Sequence, residues 1–572
     1  MILKDFTPAL CTAFRQDGYH LSTLRHDLIA GLTVAIVALP LAMAMAVASG
    51  ASPDKGIVTS VVAGFFISLL GGSRVQIGGP TGAFVVVIFD IITRHGYDGL
   101  IVASIMAGIM LVSAGYMGLG QLIKYIPYPV ITGFTTGIAV IIASSQVKDF
   151  TGLKMDHVPA NFLEQWETYF LNIDLMTLNA FLLSLGTLLI IIFSKKISSK
   201  IPSYLVAIVA ASLFCFFVPL DIDTIGSRFP DMPTGLPMPQ MPHIRLDELR
   251  DLIAAAFTIA FLAGIEALLS AVVADGMTGQ KHSLNQELIG QGVANAASGL
   301  FGGIPATGAI ARTATNVKSG GKTPMAGIFH SVFLLIFLYV GMDILAYIPM
   351  AALAAILFMV AYSMSDLKHF FAIFRISPTD RNILLLTFFL TIMVDLTVSI
   401  GVGVGYASLM FMRHMSHSLE VTTHSFRNDP NEQDSEDETI PHYDIPEHVV
   451  VFQINGPLFF GVSSELYDRL ERMDNIPKIL ILRMRFMPYL DASGEAAIED
   501  MIKYCAKQKT YIILSGLRQQ PLRILTAAHV ERSKEIGFAK DFREAVEMSK
   551  RLLADEAFFK AHHDDSKPLK KK

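Results

Sequence analysis

Two short motifs, more than two hundred residues apart, carry residue types that could bind an anion inside a membrane. Residues 78–83 read Gly-Gly-Pro-Thr-Gly-Ala, and residues 302–309 read Gly-Gly-Ile-Pro-Ala-Thr-Gly-Ala. Each interrupts an apolar stretch, because glycine frees the backbone and proline restarts a helix in its first turn. Two helix amino ends that face each other would offer unpaired N–H groups and positive dipole ends. The motifs therefore predict a binding site with a preference for anions.

The natural donors at such a site are backbone N–H groups at the start of each predicted half-helix. Threonine hydroxyls could add to them, although a threonine in a membrane helix often bonds a carbonyl of its own helix instead. The predicted donors are the N–H groups of Thr81, Gly82, Ala83, Gly308, Ala309 and Ile310 and the hydroxyls of Thr81 and Thr307.

Two charged residues lie where charge is costly. Glu266 stands inside the apolar run 257–269, where an ionised carboxylate costs several kcal/mol. It must be paired, neutral, or both in turn, so it is the candidate proton carrier; a permanent ion pair with Arg312 is the alternative. Arg312 follows the second motif, and its guanidinium would add charge and a fork of donors. The alternative for Arg312 is a helix-end residue that reaches water.

The apolar composition places most of the chain in a membrane. Of 572 residues, 52% are hydrophobic and 17% charged, which excludes an ordinary soluble protein. About fourteen apolar runs are long enough to span or enter a bilayer. The two motifs open the third and the tenth of these, which are too short to cross alone. Matching breaks seven segments apart predict two repeats of seven with opposite orientations in the membrane.

Basic residues in short connections predict the orientation of the spans. Arg25, Arg74, Lys195 and Arg413 flank spans on one side, which the positive-inside rule assigns to the cytoplasm. The N-terminal segment lacks the apolar core and cleavage site of a signal peptide. We therefore expect both termini to lie in the cytoplasm.

The composition changes after His417. Residues from about 424 to 446 are acidic and polar, which predicts a flexible linker within residues 417–446. From Val449 onward, apolar strands alternate with amphipathic helices, as in a small α/β domain. The predicted strands cover 449–454, 478–482 and 510–514, and the predicted helices cover 463–473 and 493–506, the second capped by Asp491.

No pattern of an enzyme or a cofactor site is present in the sequence. The soluble part has no glycine-rich phosphate loop and no nucleophile with a base, and nothing in it predicts binding to nucleic acid. The three cysteines, Cys11, Cys215 and Cys505, have spacings that fit neither a disulfide framework nor a metal site.

Several of these stretches resemble the SulP (sulfate permease) family of anion transporters, and the soluble part resembles the STAS domain of that family. The membrane resemblance is carried by residues 38–44, 72–80 and 133–137 and by Gln146, Arg312, Thr313 and Asn316. It implies an inverted-repeat fold like that of uracil permeases, a core domain that moves against a gate domain, and a homodimer. It also allows a cytosolic protein partner for the STAS domain.

The resemblance also implies which side chains face the substrate, namely Leu41, Met45, Thr81 and Ala311. Many relatives have glutamine at Leu41 and an aromatic residue at Met45 or Thr81, so this site is expected to be less polar and roomier. Members that resemble sodium-dependent bicarbonate carriers tend to have aspartate at Glu266 and threonine at Ile310. Glutamate and isoleucine there fit a proton better than sodium.

The sequence thus predicts a polytopic α-helical membrane protein of about fourteen segments in a 7+7 inverted repeat, plus an α/β STAS domain. The predicted parts are a cytoplasmic segment (1–27), a transport domain (28–416), a linker (417–446), the STAS domain (447–556) and a basic tail (557–572). The predicted substrate site is Leu41, Met45, Thr81, Gly82, Ala83, Thr307, Gly308, Ala309, Ile310, Ala311 and Arg312, with Glu266 for proton coupling and no metal or cofactor.

The predicted function is proton-coupled uptake of a small anion. The motifs, notably residues 302–312, look most like those of the bacterial branch of the family associated with C4-dicarboxylates such as succinate and fumarate. This resemblance implies a protein of the bacterial inner membrane, and sulfate and bicarbonate are the alternative substrates. A nucleobase carrier is disfavoured because Arg312 suits an anion. A membrane-anchored signalling protein is disfavoured because a sensor has no evident need of two broken helices.

Overall fold

The computed structural model describes most of the chain. The described residues are 6–16, 18–155, 159, 161–197, 202–218, 220–230, 232–233, 235–242, 246–394, 396–417, 420–425, 445–459, 477–530 and 536–555. They form two compact units, Met1–Ala407 and Ser408–Lys572.

The first unit is helical almost throughout. Its first part contains α1 (Ala9–Gln16), α2 (Leu21–Ala48), α3 (Pro53–Leu70), α4 (Val85–Tyr116), α5 (Tyr128–Ser145), α6 (Val147–Thr151), α7 (Phe162–Leu171), α8 (Leu178–Ile197), α9 (Ser203–Phe217) and α10 (Ile225–Arg228). Its second part contains α11 (Leu246–Thr278), α12 (Leu284–Leu300), α13 (Ile310–Lys318), α14 (Met325–Val340), α15 (Met342–Leu345), α16 (Met350–Met364), α17 (Leu367–Ile376), α18 (Pro378–Met393) and α19 (Leu396–His417), which runs into the second unit.

Each predicted apolar run contains helical residues, although the third and the tenth begin with residues outside the helices. By length and composition, six described stretches can cross a membrane: Leu21–Ala48, Pro53–Leu70, Gly82–Tyr116, Tyr128–Thr151, Leu249–Thr278 and Met350–Ile376. The third and fourth predicted runs form the single long helix α4, which is interrupted at Gly96 with φ 70° and ψ −174°. Glycine tolerates that conformation, so the half-helix turns there into the next crossing.

The membrane helices pack in two groups that follow the predicted repeat. The core bundle consists of α2, α3, α4, α11, α12, α13 and α14, and the gate bundle consists of α5, α8, α9, α16 and α18. In segment order, the core bundle holds the first to fourth and the eighth to eleventh segments. Each member of the first set therefore has a counterpart seven segments later in the same bundle, as an inverted repeat requires.

The two broken segments cross inside the core bundle. Strand β1 (Gly78–Gly79) pairs antiparallel with β2 (Thr307–Gly308), with Gly78 opposite Gly308 and Gly79 opposite Thr307. The prediction that Pro80 and Pro305 lie in the first helical turn was wrong. Helical structure starts only at Gly82 and at Ile310, because the preceding residues are held extended by pairing with each other.

The second unit contains a five-stranded sheet in the order β3-β4-β5-β6-β7. The strands are β3 (Glu420–Ser425), β4 (Val449–Asn455), β5 (Ile479–Arg483), β6 (Tyr511–Ser515) and β7 (Ile536–Ala539). Strands β4 to β7 run parallel, and β3 pairs antiparallel with β4 at the edge. The helices α20 (Ala492–Lys507), α21 (Gln519–Ala527) and α22 (Phe542–Ala554) contribute to two apolar clusters, which cover the two faces of the sheet.

The second unit confirms most of the predicted elements and corrects one. Asp491 accepts a hydrogen bond from the Gly494 N–H, as expected of a helix cap. Burial raises the pKa of the Cys505 thiol to about 12, so it is inert at neutral pH. The segment predicted as a linker from 417 to 446 includes β3, because residues 420–425 complete the edge of the sheet. The helix predicted over 463–473 lies outside the described residues.

Candidate functional site

Arg312 joins the two broken segments. It is 4% exposed, and its Nη1 donates to the Gly78 carbonyl at 3.3 Å and to the Ser60 hydroxyl at 3.2 Å. Its Nη2 donates to the Pro80 carbonyl at 3.3 Å. Arg312 lies in the first turn of α13, so a side chain from the second half-helix holds the backbone that leads into the first.

The ion pair between Glu266 and Arg312, given above as the alternative to a proton carrier, is not found. Within the described part of the chain, no carboxylate lies within 4.0 Å of the Arg312 guanidinium. Its donors go to two carbonyls and a hydroxyl, so it keeps its full positive charge beside the two helix ends. Its guanidinium fork positions the backbone of the first broken segment, and its role in attracting an anion stays a prediction.

Glu266 contacts the first broken segment. The Thr81 hydroxyl donates to Glu266 Oε2 at 2.8 Å, across a separation of 185 residues in sequence. Glu266 also lines a small cavity, of about 30 Å³, between α11 and the gate-bundle helix α5. Its other lining residues are Ile126, Val130, Ile131, Phe134, Thr135, Leu262, Ile265, Leu269 and Ile400. Such a volume has room for about one water molecule, so Glu266 lies in a mostly apolar place where the core and gate bundles meet.

The second broken segment is fixed against α11 and α12. The Thr307 hydroxyl donates to the Ala263 carbonyl at 2.9 Å, so this predicted anion donor is bound to the protein instead. Asn295 makes a reciprocal pair with Ala306, donating to its carbonyl at 2.8 Å and accepting from its N–H at 2.9 Å. These bonds satisfy a backbone that has left its helix, and they leave its conformation little freedom.

Most of the backbone N–H groups predicted to bind an anion have no partner among the described residues, but the one on Ala309 does. The Ala309 N–H donates to the Ile77 carbonyl at 3.0 Å, so it is not available to an anion in this state. Within the described residues, no hydrogen-bond acceptor is found for the N–H groups of Thr81, Gly82, Ala83, Ile310, Ala311 and Arg312. Each half-helix therefore presents the N–H groups of its first residues.

The two helix ends have unequal surroundings. Ile310 is 45% exposed and Ala311 is exposed as well, whereas Gly82 and Ala83 are buried. Leu41 and Met45 are buried and belong to the same apolar cluster as Ala83. The residues at the two half-helix ends thus lie around one crossing point, with an open side at the start of α13.

Two buried acids that fix the chain next to the broken segments were missed by reasoning from the sequence. Glu287, near the start of α12, accepts from the N–H groups of Gly72 and Ser73 at 2.8 and 3.0 Å and from Gln291. It therefore fixes the chain that leads into the first broken segment. An acid in the first turn of a helix is so common that the sequence gives no signal for this role.

Asp27, the second missed acid, fixes the chain that follows the second half-helix. It accepts from the backbone N–H groups of Lys322 and Thr323 at 2.7 and 3.2 Å and from the hydroxyl of Thr323, and it is fully buried. The Tyr19 hydroxyl lies 3.4 Å from it. The only sequence signal would have been an acid at the edge of an apolar span.

We expect Gly308→Ala to disrupt the crossing. A Cβ at this position would lie 1.4 Å from Gln76 Nε2, which donates to the Ala267 carbonyl at 3.0 Å. Gln76 would have to leave, so the variant should lose substrate binding and about 1–3 kcal/mol of stability from the unpaired buried groups. Thermal unfolding and a binding assay on purified protein measure both effects. Gly186→Ala is the matched control, because its Cβ would meet no atom within 4 Å; equal behaviour of the two variants would contradict the expectation.

Comparison with known proteins identifies the family. The model of the sulfate permease family matches residues 24–387, and the STAS domain model matches residues 441–545. The chain belongs to the sulfate permease family. It is 41% identical over 513 residues to the Bacillus subtilis (strain 168) protein named "Putative sulfate transporter YvdB", a match that covers 89% of this chain and 95% of that protein. It is 33% identical over 520 residues to the bicarbonate transporter BicA of Picosynechococcus, covering 88% of this chain and 91% of BicA.

Solved structures confirm the fold. The transmembrane domain of a cyanobacterial BicA has 32% identity and a TM-score of 0.61, covering 67% of this chain and 98% of that domain. The structure of SLC26A9 has a TM-score of 0.81 at 16% identity and covers 98% of this chain and 95% of that one. The predicted helical transporter fold with a C-terminal STAS domain is therefore correct, and the 7+7 repeat agrees with it. The chain is a membrane-embedded anion transporter of this family.

Proposed function

We propose that this protein takes up a small oxyanion together with a proton, with the anion held between the two half-helix ends and the proton carried by Glu266. The observation that carries the proposal is the crossing itself. It brings unpartnered N–H groups from both half-helices, the charge of Arg312 and the lone carboxyl of Glu266 to one place. Dipole ends and a cation attract an anion, and an acid in an apolar place is stable when it gains a proton.

The direction of approach follows from exposure. Ile310 and Ala311 are exposed, while residues 82 and 83 are buried. An anion would therefore reach the start of α13 first and contact the first half-helix as the bundles rearrange. Glu266, which lines the cavity between the bundles, is placed to gain or lose its proton during that movement.

The substrate class rests on two different observations. The names of YvdB and BicA contain sulfate and bicarbonate, which makes these two inorganic anions the leading candidates here. The C4-dicarboxylates predicted from the sequence retain one argument, because the apolar side chains of Leu41 and Met45 would suit the carbon chain of succinate or fumarate.

Uptake into proteoliposomes tests the function and the substrate together. We expect purified protein to accumulate one of labelled sulfate, bicarbonate or succinate when the pH is lower on the side from which the anion enters. Dissipation of the pH gradient with a protonophore should remove the accumulation. Failure of all three anions to enter, with and without the gradient, would contradict the proposal.

We propose that the protein lies in a bacterial cytoplasmic membrane as a homodimer with both termini in the cytoplasm. The basic residues Arg25, Arg74 and Arg413 support the orientation. Labelling of cysteines introduced at the two termini, in intact and in permeabilised cells, tests the orientation. Native mass spectrometry of detergent-purified protein tests the dimer.

The STAS domain is proposed to regulate or assemble the transporter without forming the pathway, because every residue of the crossing belongs to the first unit. Truncation after Ser416 removes β3 with the rest of the sheet and keeps nearly all of α19. We expect the truncated, monodisperse protein to bind the transported anion within about threefold of the full chain, which corresponds to about 0.6 kcal/mol. Isothermal titration calorimetry measures this. Complete loss of binding by a folded membrane unit would mean that residues of the STAS domain contribute to the site.

A further inference from the structure

Thr81 occupies a helix-capping position without capping the helix. It precedes the helical turn Gly82–Phe84 with φ −130° and ψ 162°, and its side chain makes no capping hydrogen bond. Threonine at such a position normally accepts from an N–H two or three residues later. Here the hydroxyl is turned away from its own helix and donates to Glu266 instead. The helix end therefore keeps its N–H groups for another ligand.

We propose that the Thr81 hydroxyl couples anion binding at the first half-helix to proton binding at Glu266; this rests on the function proposed above. A hydroxyl has one proton to donate, and an ionised carboxylate can only accept. While Glu266 is ionised, the Thr81 proton is therefore committed to Oε2. Once a proton from solution binds to Glu266, the carboxyl becomes a donor to Thr81 Oγ1, and the Thr81 proton is free to bind the anion.

The geometry places both partners within reach of this one residue. The bond to Glu266 is 2.8 Å long, and the backbone N–H groups of Thr81, Gly82 and Ala83 have no acceptor within the described part of the chain. An anion bound by these N–H groups would contact Thr81, whose hydroxyl donates to Glu266. Protonation would thus add a donor for the anion, and a bound anion would favour the protonated state of Glu266, because linkage between two sites is reciprocal.

Three charged groups on the neighbouring helices have partners other than Glu266. On α13, Arg312 donates to the carbonyls of Gly78 and Pro80. On α12, Glu287 accepts from the N–H groups of residues 72 and 73. On α4, Asp90 pairs with Arg94 at 2.7 Å.

The cavity beside Glu266 offers no competing partner. Its only other polar lining residue, within the described chain, is Thr135 of α5, whose hydroxyl donates to the Thr132 carbonyl at 3.3 Å. Thr81 is therefore the hydrogen-bonding partner that links Glu266 to the first half-helix.

The test compares Thr81→Val, which removes the hydroxyl at nearly constant volume, with Thr81→Ser, which keeps it. The probe is whichever of labelled sulfate, bicarbonate or succinate the wild-type protein transports, in proteoliposomes with the membrane potential clamped. Two quantities are measured, namely anion counterflow without a gradient and the steady-state accumulation ratio at a pH difference of one unit. One coupled proton supports an accumulation of at most about tenfold under these conditions.

We expect the accumulation ratio of Thr81→Val to fall from near that limit to about one, while its counterflow decreases by a smaller factor. Counterflow of the wild-type protein should also vary with pH, and this dependence should flatten in Thr81→Val and return in Thr81→Ser. Thr315→Val is the matched control, because the Thr315 hydroxyl bonds the Ala311 carbonyl of its own helix at 2.8 Å. Both quantities should be unchanged in this control.

Three outcomes overturn the proposal. Thr81→Val with wild-type accumulation would show that the hydroxyl is not needed for coupling. Parallel loss of counterflow and accumulation, unrelieved by Thr81→Ser, would assign Thr81 a purely structural role. Wild-type protein that transports the anion without any effect of the pH gradient would overturn the proton-coupled function itself, and this proposal with it.

Discussion

Glu266→Gln is expected to abolish uptake driven by a pH gradient while leaving the protein folded. Glutamine keeps the size and hydrogen-bonding shape of the protonated carboxyl but cannot ionise. In the structure the Thr81 hydroxyl donates to Glu266 Oε2, and an amide oxygen can accept the same bond. The variant therefore mimics one of the two states of the cycle. We expect the accumulation ratio to fall to about one, an approximately tenfold loss for a gradient of one pH unit.

Exchange of labelled for unlabelled anion should survive in Glu266→Gln, because exchange does not require the proton to leave. Proteoliposomes loaded with unlabelled anion measure this, and a thermal unfolding assay checks that the variant is folded. Asp90→Asn is the matched control, since that acid is paired with Arg94 and 46% exposed. Accumulation by Glu266→Gln at the wild-type level would remove Glu266 from the proton pathway.

The place of the site could be predicted from the sequence, because its signals are local. Glycine and proline inside apolar runs mark breaks in a helix wherever they occur, and the spacing of the two breaks gives the repeat. A carboxylate in the middle of a span, as at Glu266, is costly enough to indicate function by itself. The strands and helices of the STAS domain follow from alternating apolar patterns in the same way.

The connections within the site could not be predicted, because they depend on which segments meet. No local pattern indicates that residues 78–79 and 307–308 pair with each other, and this pairing is what delays the helices to Gly82 and Ile310. Likewise, an arginine in the first turn of a short helix is compatible with an ion pair, a ligand contact or solvent. Its actual partners are main-chain carbonyls. Every residue has such a carbonyl, so the sequence does not indicate which ones Arg312 contacts.

The Arg312 guanidinium packs directly against the backbone of Gly79. A Cβ on residue 79 would lie 1.8 Å from Arg312 Nη1, and the φ of Gly79 is 156°. The guanidinium thus occupies the space that a side chain at residue 79 would fill. Because residue 79 has no side chain, the Arg312 guanidinium has room to pack there. Adding a side chain at residue 79 and removing the one at residue 312 should therefore have the same consequence.

Arg312→Ala is expected to lower stability by about 3 kcal/mol or more, because hydrogen bonds from a charged donor contribute roughly 1.5–3 kcal/mol each, and to abolish anion binding. Arg312→Lys should not restore either property, since one ammonium cannot span the carbonyls of Gly78 and Pro80 as the fork does. Binding of the transported anion by calorimetry and thermal unfolding in detergent measure the two effects. An affinity unchanged in Arg312→Ala would show that neither its charge nor its positioning matters to the site.

Gly79→Ala should reproduce the loss seen in Arg312→Ala, because the new methyl group displaces the guanidinium. Since both changes break the same contact, the double variant Gly79→Ala/Arg312→Ala should be about as stable as either single variant. The coupling free energy should then be about equal in size to the loss of unfolding free energy in one single variant. Independent sites would instead add to within about 0.5 kcal/mol. Gly276→Ala is the matched control, because its Cβ would meet no atom within 4 Å, and it should combine additively with Arg312→Ala. Additive losses from Gly79→Ala and Arg312→Ala would mean that the glycine is required for its backbone conformation alone, and that Arg312 does not hold the two broken segments through this contact.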